Sequence, residues 1–506
     1  MANTQFNNLE YYLDTNNIQY KKLPFRFDRW DNEMVFLSTD TGESLFIDND
    51  SFNGFVANKL SPSTSIYKTL KSKGVLVDSG SSAQINLLAS KYRTKKSFIE
   101  GFSKLHIFVT TLRCNLSCPY CQVSRKNLDA DASTFDMPIE VLDKSIDIML
   151  QSPSMSVTME FQGGEPLSNF ELIREGVIRA KDKNKYFGKN IKFVICTNLA
   201  ILEDEHLEFF KEHDFCISTS LDGPAFIHNA NRPFHKGGAS HDVVVKNIKR
   251  CQDYLGIQKV SALMTTTRLS LKYPKEIVDE FISRGLGSMF VRELNPYGFA
   301  VKTNKALGYT SEEFIEFYTQ CLDYIIELNR KGKCFSESSA AMILSKLLTP
   351  WPIGFVDLQS PTGSGFGVTL YNYDGDVYAS DESRMLAETG DTTFRLGNVL
   401  DDGYEALFFG ETMQLLASAA CNESLPGCSD CAYQSFCGAD PVRNYATQDD
   451  VIGNRAEGNG FCKKYMALIK HLLALHQNAD DDLTRILWSW INRDDHERMK
   501  LKEEQS

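Results

Sequence analysis

The chain lacks the features that would place it in a membrane, outside a cell or on nucleic acid. No apolar run in its 506 residues approaches the ~18 that a spanning helix needs. Its first residues, Met1-Ala2-Asn3-Thr4-Gln5, have neither the basic stretch nor the apolar core of a secretory signal, so a cytoplasmic protein is expected. Positive charge is scarce: 54 Lys and Arg face 66 Asp and Glu, a net charge of −12, which argues against a basic nucleic-acid surface. No internal repeat or long low-complexity segment occurs. With 42% hydrophobic and 24% charged residues, the composition is that of an ordinary globular protein.

What is plentiful is cysteine. A disulfide framework is not expected in a large chain without a secretory signal, because a reducing compartment keeps thiols free. The 13 cysteines are also unevenly placed. Cys114, Cys118 and Cys121 fall within eight residues, and Cys421, Cys428, Cys431, Cys437 and Cys462 gather near the end. Cys196, Cys216, Cys251, Cys321 and Cys334 lie among apolar residues and read as buried, inert thiols. Clustered thiols in a reduced compartment point to metal.

Four regions follow from the hydrophobic pattern. Residues 1–100 hold a polar leader, two strands at 34–38 and 44–48, a helix capped by Asp50 or Ser51, a second helix over 63–72 and the apolar Val75-Leu76-Val77. Residues 101–345 alternate six strand patterns (106–111, 156–161, 191–196, 215–220, 260–265, 289–294) with helical ones (138–151, 168–184, 241–255, 272–284). That alternation predicts an α/β fold, a partial (β/α)6 TIM-like barrel with ligands at the carboxyl ends of its strands. Pro350-Trp351-Pro352 and the Gly/Ser stretch over 360–367 mark a boundary, so 346–475 forms a third domain. It opens with a hairpin, 368–373 and 376–379, turned at Asp374-Gly375. Residues 476–506 read as a C-terminal helix and a tail ending Glu503-Glu504-Gln505-Ser506.

The chemistry concentrates at three places. Arg113-Cys114-Asn115-Leu116-Ser117-Cys118-Pro119-Tyr120-Cys121 follows the first barrel strand directly, and three thiolates so spaced can wrap three corners of a 4Fe–4S cube, leaving one iron open. A zinc site would want a fourth ligand nearby, and the loop has none. Gly163-Gly164-Glu165-Pro166 follows the second strand: the glycines allow close backbone approach to a ligand, and the carboxylate can accept from an ammonium. Cys428, Cys431, Cys437 and Cys462 can hold zinc or a second 4Fe–4S cluster, and spacing alone slightly favours zinc.

Together these motifs resemble the radical S-adenosylmethionine (AdoMet) superfamily. The resemblance implies a 4Fe–4S cluster on Cys114, Cys118 and Cys121 with AdoMet on its open iron, and generation of a 5′-deoxyadenosyl radical. It places Gly163, Gly164 and Glu165 at the AdoMet amino group, Tyr120 beside the adenine, and Ser220, Asp222 and Arg232 among its polar contacts; Thr197-Asn198 share that rim. Cys428, Cys431, Cys437 and Cys462 resemble a SPASM extension. A full one carries two clusters, but Ser380 and Pro441 stand where further cysteines are expected, so one auxiliary 4Fe–4S cluster is implied and Cys421 is a spare. Asp381 stands where related maturases place a catalytic base. Cys121-Gln122-Val123-Ser124-Arg125, the segment 371–382 and Cys437-Gly438-Ala439-Asp440-Pro441-Val442 are similar to the B-type maturase of the His-Xaa-Ser peptide system. That implies a peptide substrate with His-Xaa-Ser repeats, a second radical AdoMet maturase as companion, an N-terminal peptide-recognition domain, and no nucleic-acid or membrane partner. Competing readings are a maturase of another target, as in sulfatase maturation, and a non-catalytic zinc-bearing scaffold that binds peptide.

Overall fold

The computed structural model describes residues 20–453, 455 and 460–493; the polar leader up to residue 19 and the charged tail beyond 493 lie outside them. The N-terminal unit pairs β1 (Tyr20–Lys22) with β5 (Leu76–Asp78), and stacks β2 (Phe25–Arg29), β3 (Met34–Thr39) and β4 (Ser44–Asp48) as an antiparallel sheet in that order. Asp48 caps the helix Asn49–Val56, accepting from the Ser51 N–H at 2.8 Å, ahead of the Asp50 or Ser51 cap that the sequence suggests. β3 is apolar on both faces because it serves two cores. Val35 and Leu37 join Phe52, Phe55 and Leu70 in the unit's own core, while Phe36 stacks on Tyr433 at 5.5 Å. The unit is thereby fastened to the second cysteine group. Arg26 and Ser38 donate to the Ser429 and Ala432 carbonyls, and Asp28 accepts from the Tyr433 hydroxyl at 2.7 Å.

All six expected barrel strands form. β6 (Leu105–Thr111) leads into a loop whose base is pinned by the two-residue strands β7 (Arg113–Cys114) and β8 (Lys126–Asn127). β9 (Ser156–Gly163), β10 (Asn190–Cys196), β11 (Cys216–Ser220), β12 (Val260–Thr265) and β13 (Ser288–Arg292) follow in parallel, each beside its predecessor in the order β6-β9-β10-β11-β12-β13. The period of two decides which side faces what. On β9, Val157, Met159 and Phe161 are buried against the helices, while Glu160 and Gln162 turn to the inner face. The helix Ile139–Leu150 answers with Val141, Leu142, Ile146 and Met149 on one stripe.

Two features exceed the sequence reading. The helix Asp204–Glu212 fills the crossover between β10 and β11, closed by a capping box between Glu203 and His206. The expected hairpin, β15 (Val368–Tyr371) and β16 (Asp376–Tyr378), does not begin a separate layer. β15 pairs in parallel with β6, Val368 opposite Leu105, so the hairpin and β17 (Arg395–Asn398) extend the barrel sheet past its first strand, while β14 (Ser336–Glu337) lengthens the other end. The physical reason is β6 itself: its residues from His106 to Thr111 are all buried, and an unpaired buried edge would orphan its backbone polar groups. No described helix is long and apolar enough to cross a membrane.

Candidate functional site

The Cys114–Cys121 loop sits at the carboxyl end of β6 and is held from every side. Arg113 grips Asp136 with Nε at 2.8 Å and Nη2 at 2.5 Å, and the Lys126 N–H donates to the Leu112 carbonyl at 2.7 Å. Ser117 N–H donates to Pro233 O at 2.8 Å, Phe299 N–H to Cys121 O at 2.8 Å, and the Thr303 hydroxyl to Pro119 O at 3.0 Å. Gly298, which sequence reasoning missed, packs against the loop with φ +57°; a Cβ there would stand 2.3 Å from Gln122 O. Its only signal in the sequence is the turn-like Pro296-Tyr297-Gly298.

Burial pushes the Cys114 and Cys118 thiols up, Cys118 to about 12, with neighbouring thiols adding to the shift; beside Cys118, Arg232 opposes it. Such thiols ionise when a cation draws their charge, as iron does. The donor set thus fits a cluster on all three residues.

Gly163 and Gly164 lie against the backbone of the cysteine loop. A Cβ on Gly163 would lie 2.1 Å from Thr111 O, and one on Gly164 2.4 Å from both Leu112 O and Arg113 O. The intimate neighbour of these glycines is the backbone that leads into the cysteine loop, tied by Gly164 N–H to Thr111 O and Glu165 N–H to Arg113 O. Glu165 is completely buried. Its Oε1 accepts from the Thr197 hydroxyl at 2.6 Å and Leu167 N–H at 3.1 Å, and its Oε2 from Asn198 N–H at 2.7 Å. No cationic side chain is among these partners, and burial raises its pKa to about 7 against those hydrogen bonds. A buried carboxylate whose donors are all neutral fits a ligand that brings its own ammonium. Asn115, linked to Asn198 at 2.8 Å, leaves its Nδ2 without a partner on the same rim.

Three expected contact residues meet. The Tyr120 hydroxyl donates to Asp222 Oδ2, Arg232 Nε lies 3.1 Å from the same oxygen, and the Arg232 guanidinium sits 5.5 Å from the Tyr120 ring centre. Asp222 also accepts from Thr265 N–H at 3.1 Å, and its own N–H donates to His228 Nδ1 at 3.3 Å. Burial lowers His228 to about 4, so it is a neutral acceptor at pH 7. Ser220 ends β11 half-buried, directly before this cluster.

Behind the rim, the inner face of the barrel and the C-terminal domain enclose a cavity of about 330 Å³. Asp381 lines it; burial and the neighbouring Glu382 raise its pKa to about 6, while Arg384 opposes them. Arg384, almost completely buried, lies 3.7 Å from Asp381 and donates to Val123 O at 3.2 Å, joining the cavity wall to the segment after Cys121. Cys196 lines this wall beside Glu160, where burial pushes its thiol up and keeps it inert as expected, and Cys334 is exposed; Cys251 and Cys321 are buried as expected.

Cys428, Cys431, Cys437 and Cys462 lie near one another, burial raising the first three and mutual repulsion adding to it. Cys421 stands apart, beside Glu423 and Lys96. Among the described residues, no three Cys, His, Asp or Glu side chains are grouped as ligands of one ion; a cube, whose thiolates sit on separate irons, does not require that.

Three thiols in one loop at the carboxyl rim of a parallel barrel form a donor set that suits an iron–sulfur cluster. Residues 108–281, about a third of the chain, match the Radical SAM superfamily, a match that implies a 4Fe–4S cluster and AdoMet as cofactors. It is 31% identical over 201 residues to an uncharacterized protein of Methanocaldococcus jannaschii, covering 39% of this chain and 65% of that relative. It is 24% identical to a cysteine-type anaerobic sulfatase-maturating enzyme of Clostridium perfringens, over 71% of this chain and 93% of the relative. Among solved structures, native anSMEcpe with bound AdoMet superposes with a TM-score of 0.59 at 20% identity, over 74% of this chain and 99% of that one. Streptococcus suis SuiB bound to its precursor peptide SuiA gives 0.52 at 13%, over 88% and 100%.

Proposed function

We propose that this protein is a peptide maturase: a radical AdoMet enzyme that abstracts hydrogen from a ribosomally made peptide, one with His-Xaa-Ser repeats. The observation that carries the chemistry is the pairing of the three-thiol loop at the barrel rim with Glu165, a buried carboxylate that has no cation of its own. Cys114, Cys118 and Cys121 would hold a 4Fe–4S cluster, and Glu165, Tyr120, Ser220, Asp222 and Arg232 would orient AdoMet. When bound, the pair supplies a carbon radical that takes hydrogen from the substrate. Cys428, Cys431, Cys437 and Cys462 would hold one auxiliary cluster. Asp381, ionisable near neutral pH and facing the cavity, would accept the substrate's proton.

The N-terminal unit would recognise the peptide's leader. Among the described residues β4 pairs only with β3, and a cleft of about 590 Å³ runs along its other edge, lined by Ser44, Leu45, Phe46, Leu348 and Leu473. An extended peptide adding a strand there would gain backbone hydrogen bonds and apolar pockets. The relatives named for sulfatase maturation and the SuiB–SuiA complex support a peptide or protein substrate.

Three measurements check this reading. Glu165→Gln should weaken AdoMet binding by about tenfold or more, the value of a charge-assisted hydrogen bond, with iron content unchanged; equal affinity would remove Glu165 from the site. Reduced protein given AdoMet should change the mass of a His-Xaa-Ser peptide and not that of a sulfatase-type Cys peptide. The reverse pattern would transfer the protein to sulfatase-like maturation. Asp381→Asn should leave 5′-deoxyadenosine formation in place while the peptide product is lost; an undiminished product would remove Asp381 from proton transfer.

A further inference from the structure

Six carboxylates line the 330 Å³ cavity: Glu160, Glu293, Asp357, Asp381, Glu382 and Asp440. Three cations line it, Arg292, Arg443 and Lys464, and two of them serve one acid. Arg443 Nη2 and Lys464 Nζ both donate to Glu293 Oε1 at 2.7 Å. Arg292 lies 3.7 Å from Glu382, and Arg384, behind the wall, 3.7 Å from Asp381. Asp440 accepts from Val442 N–H at 3.0 Å and the Ser364 hydroxyl at 3.2 Å, both neutral donors. Among the described residues none of these cations pairs directly with Asp357 or Asp440; Arg292, Lys464 and Arg443 act on Asp357, and Arg443 on Asp440, only from further off. Burial, and then the neighbouring Glu382, raise Asp357 to about 6 and Asp440 to about 7, a shift that these cations oppose without cancelling it.

Tyr297, which is not part of the cavity lining, lies beside the same acids. It is 1% exposed, its hydroxyl has no hydrogen-bond partner, and the acids acting on it are Asp440, Glu382 and Asp357. A buried hydroxyl left unpaired costs about 1–3 kcal/mol, and native proteins seldom leave one without a ligand or water to satisfy it. Oδ1 of Asp381, in the cavity wall, is likewise buried and without a hydrogen bond.

We propose that this cavity receives a cationic side chain of the peptide substrate, from lysine, arginine or protonated histidine, with Asp357 and Asp440 as its counter-ions. The volume sits at the low end of ligand sites, right for one side chain. This rests on the reading of the protein as a peptide maturase and adds the charge of the residue it takes.

The test is made on the cluster-loaded protein and reads binding, not turnover. Capped tripeptides, acetyl-Gly-Xaa-Gly-amide with Xaa as Lys, Arg, His, Gln or Leu, are titrated into the full-length protein by calorimetry. The best of the cationic peptides should bind about tenfold or more tighter than the Gln peptide, and the order among Lys, Arg and His identifies the residue. The preference should vanish in Asp357→Asn/Asp440→Asn. Equal binding of all five by the wild type overturns the proposal without any variant; a preference that survives in a folded double variant overturns it as attraction to the acidic surface. Formation of 5′-deoxyadenosine without peptide, assayed in the same preparations, checks the maturase chemistry separately. Cleavage without a cationic preference sinks only this inference, and a preference without cleavage sinks only the functional reading.

Discussion

Replacing Cys118 with alanine should abolish reductive AdoMet cleavage, with 5′-deoxyadenosine falling by about a hundredfold or more, a loss of about 2.7 kcal/mol or more of barrier lowering. Cys118 is the middle thiol of the loop and sits beside both Arg232 and Asp222, so it joins the proposed cluster ligands to the AdoMet-contact residues. Alanine removes one iron ligand while the hydrogen bonds that pin the loop through Arg113, Ser117 and Thr303 remain. The variant should therefore fold, bind less iron and lose cleavage together. Product formation near the wild-type rate would show that the radical chemistry does not depend on this thiol.

The second large effect belongs to Asp222. Its carboxylate is fully buried and meets the Tyr120 hydroxyl, Arg232 Nε at 3.1 Å and Thr265 N–H at 3.1 Å. Asp222→Ala would leave the Arg232 charge, 9% exposed, without its partner. Breaking a buried pair from one side costs about 3–5 kcal/mol. Denaturant unfolding should register that loss, and the double variant Asp222→Ala/Arg232→Met should recover most of it, because no orphaned charge then remains. A loss below about 1 kcal/mol would mean the pair is well solvated in solution.

What could be read from the sequence was what is local in the chain. Cys114, Cys118 and Cys121 announce themselves within one loop, and the six barrel strands follow from the alternation of strand-like and helix-like segments. The requirement for glycine at 163 and 164 was equally legible, but the sequence carries no sign that the loop's own backbone lies against them. Tyr120, Asp222 and Arg232 were found through the resemblance, and the ion pair that joins them appears only in three dimensions. The cavity wall was least accessible. Glu160, Arg292, Asp357, Asp440 and Lys464 come from five separated segments with no shared spacing, so nothing short of the fold gathers them. The same holds for β15, whose turn at Asp374-Gly375 is evident but whose partner, β6, lies far earlier in the chain, Leu105 opposite Val368.

The most direct measurement is an iron count joined to an AdoMet-cleavage assay on protein purified and reconstituted without oxygen. Two clusters predict brown protein with about eight irons per chain, and 5′-deoxyadenosine and methionine released on adding a strong reductant. Colourless protein holding zinc and no iron, or iron-loaded protein that leaves AdoMet intact under reduction, would contradict it.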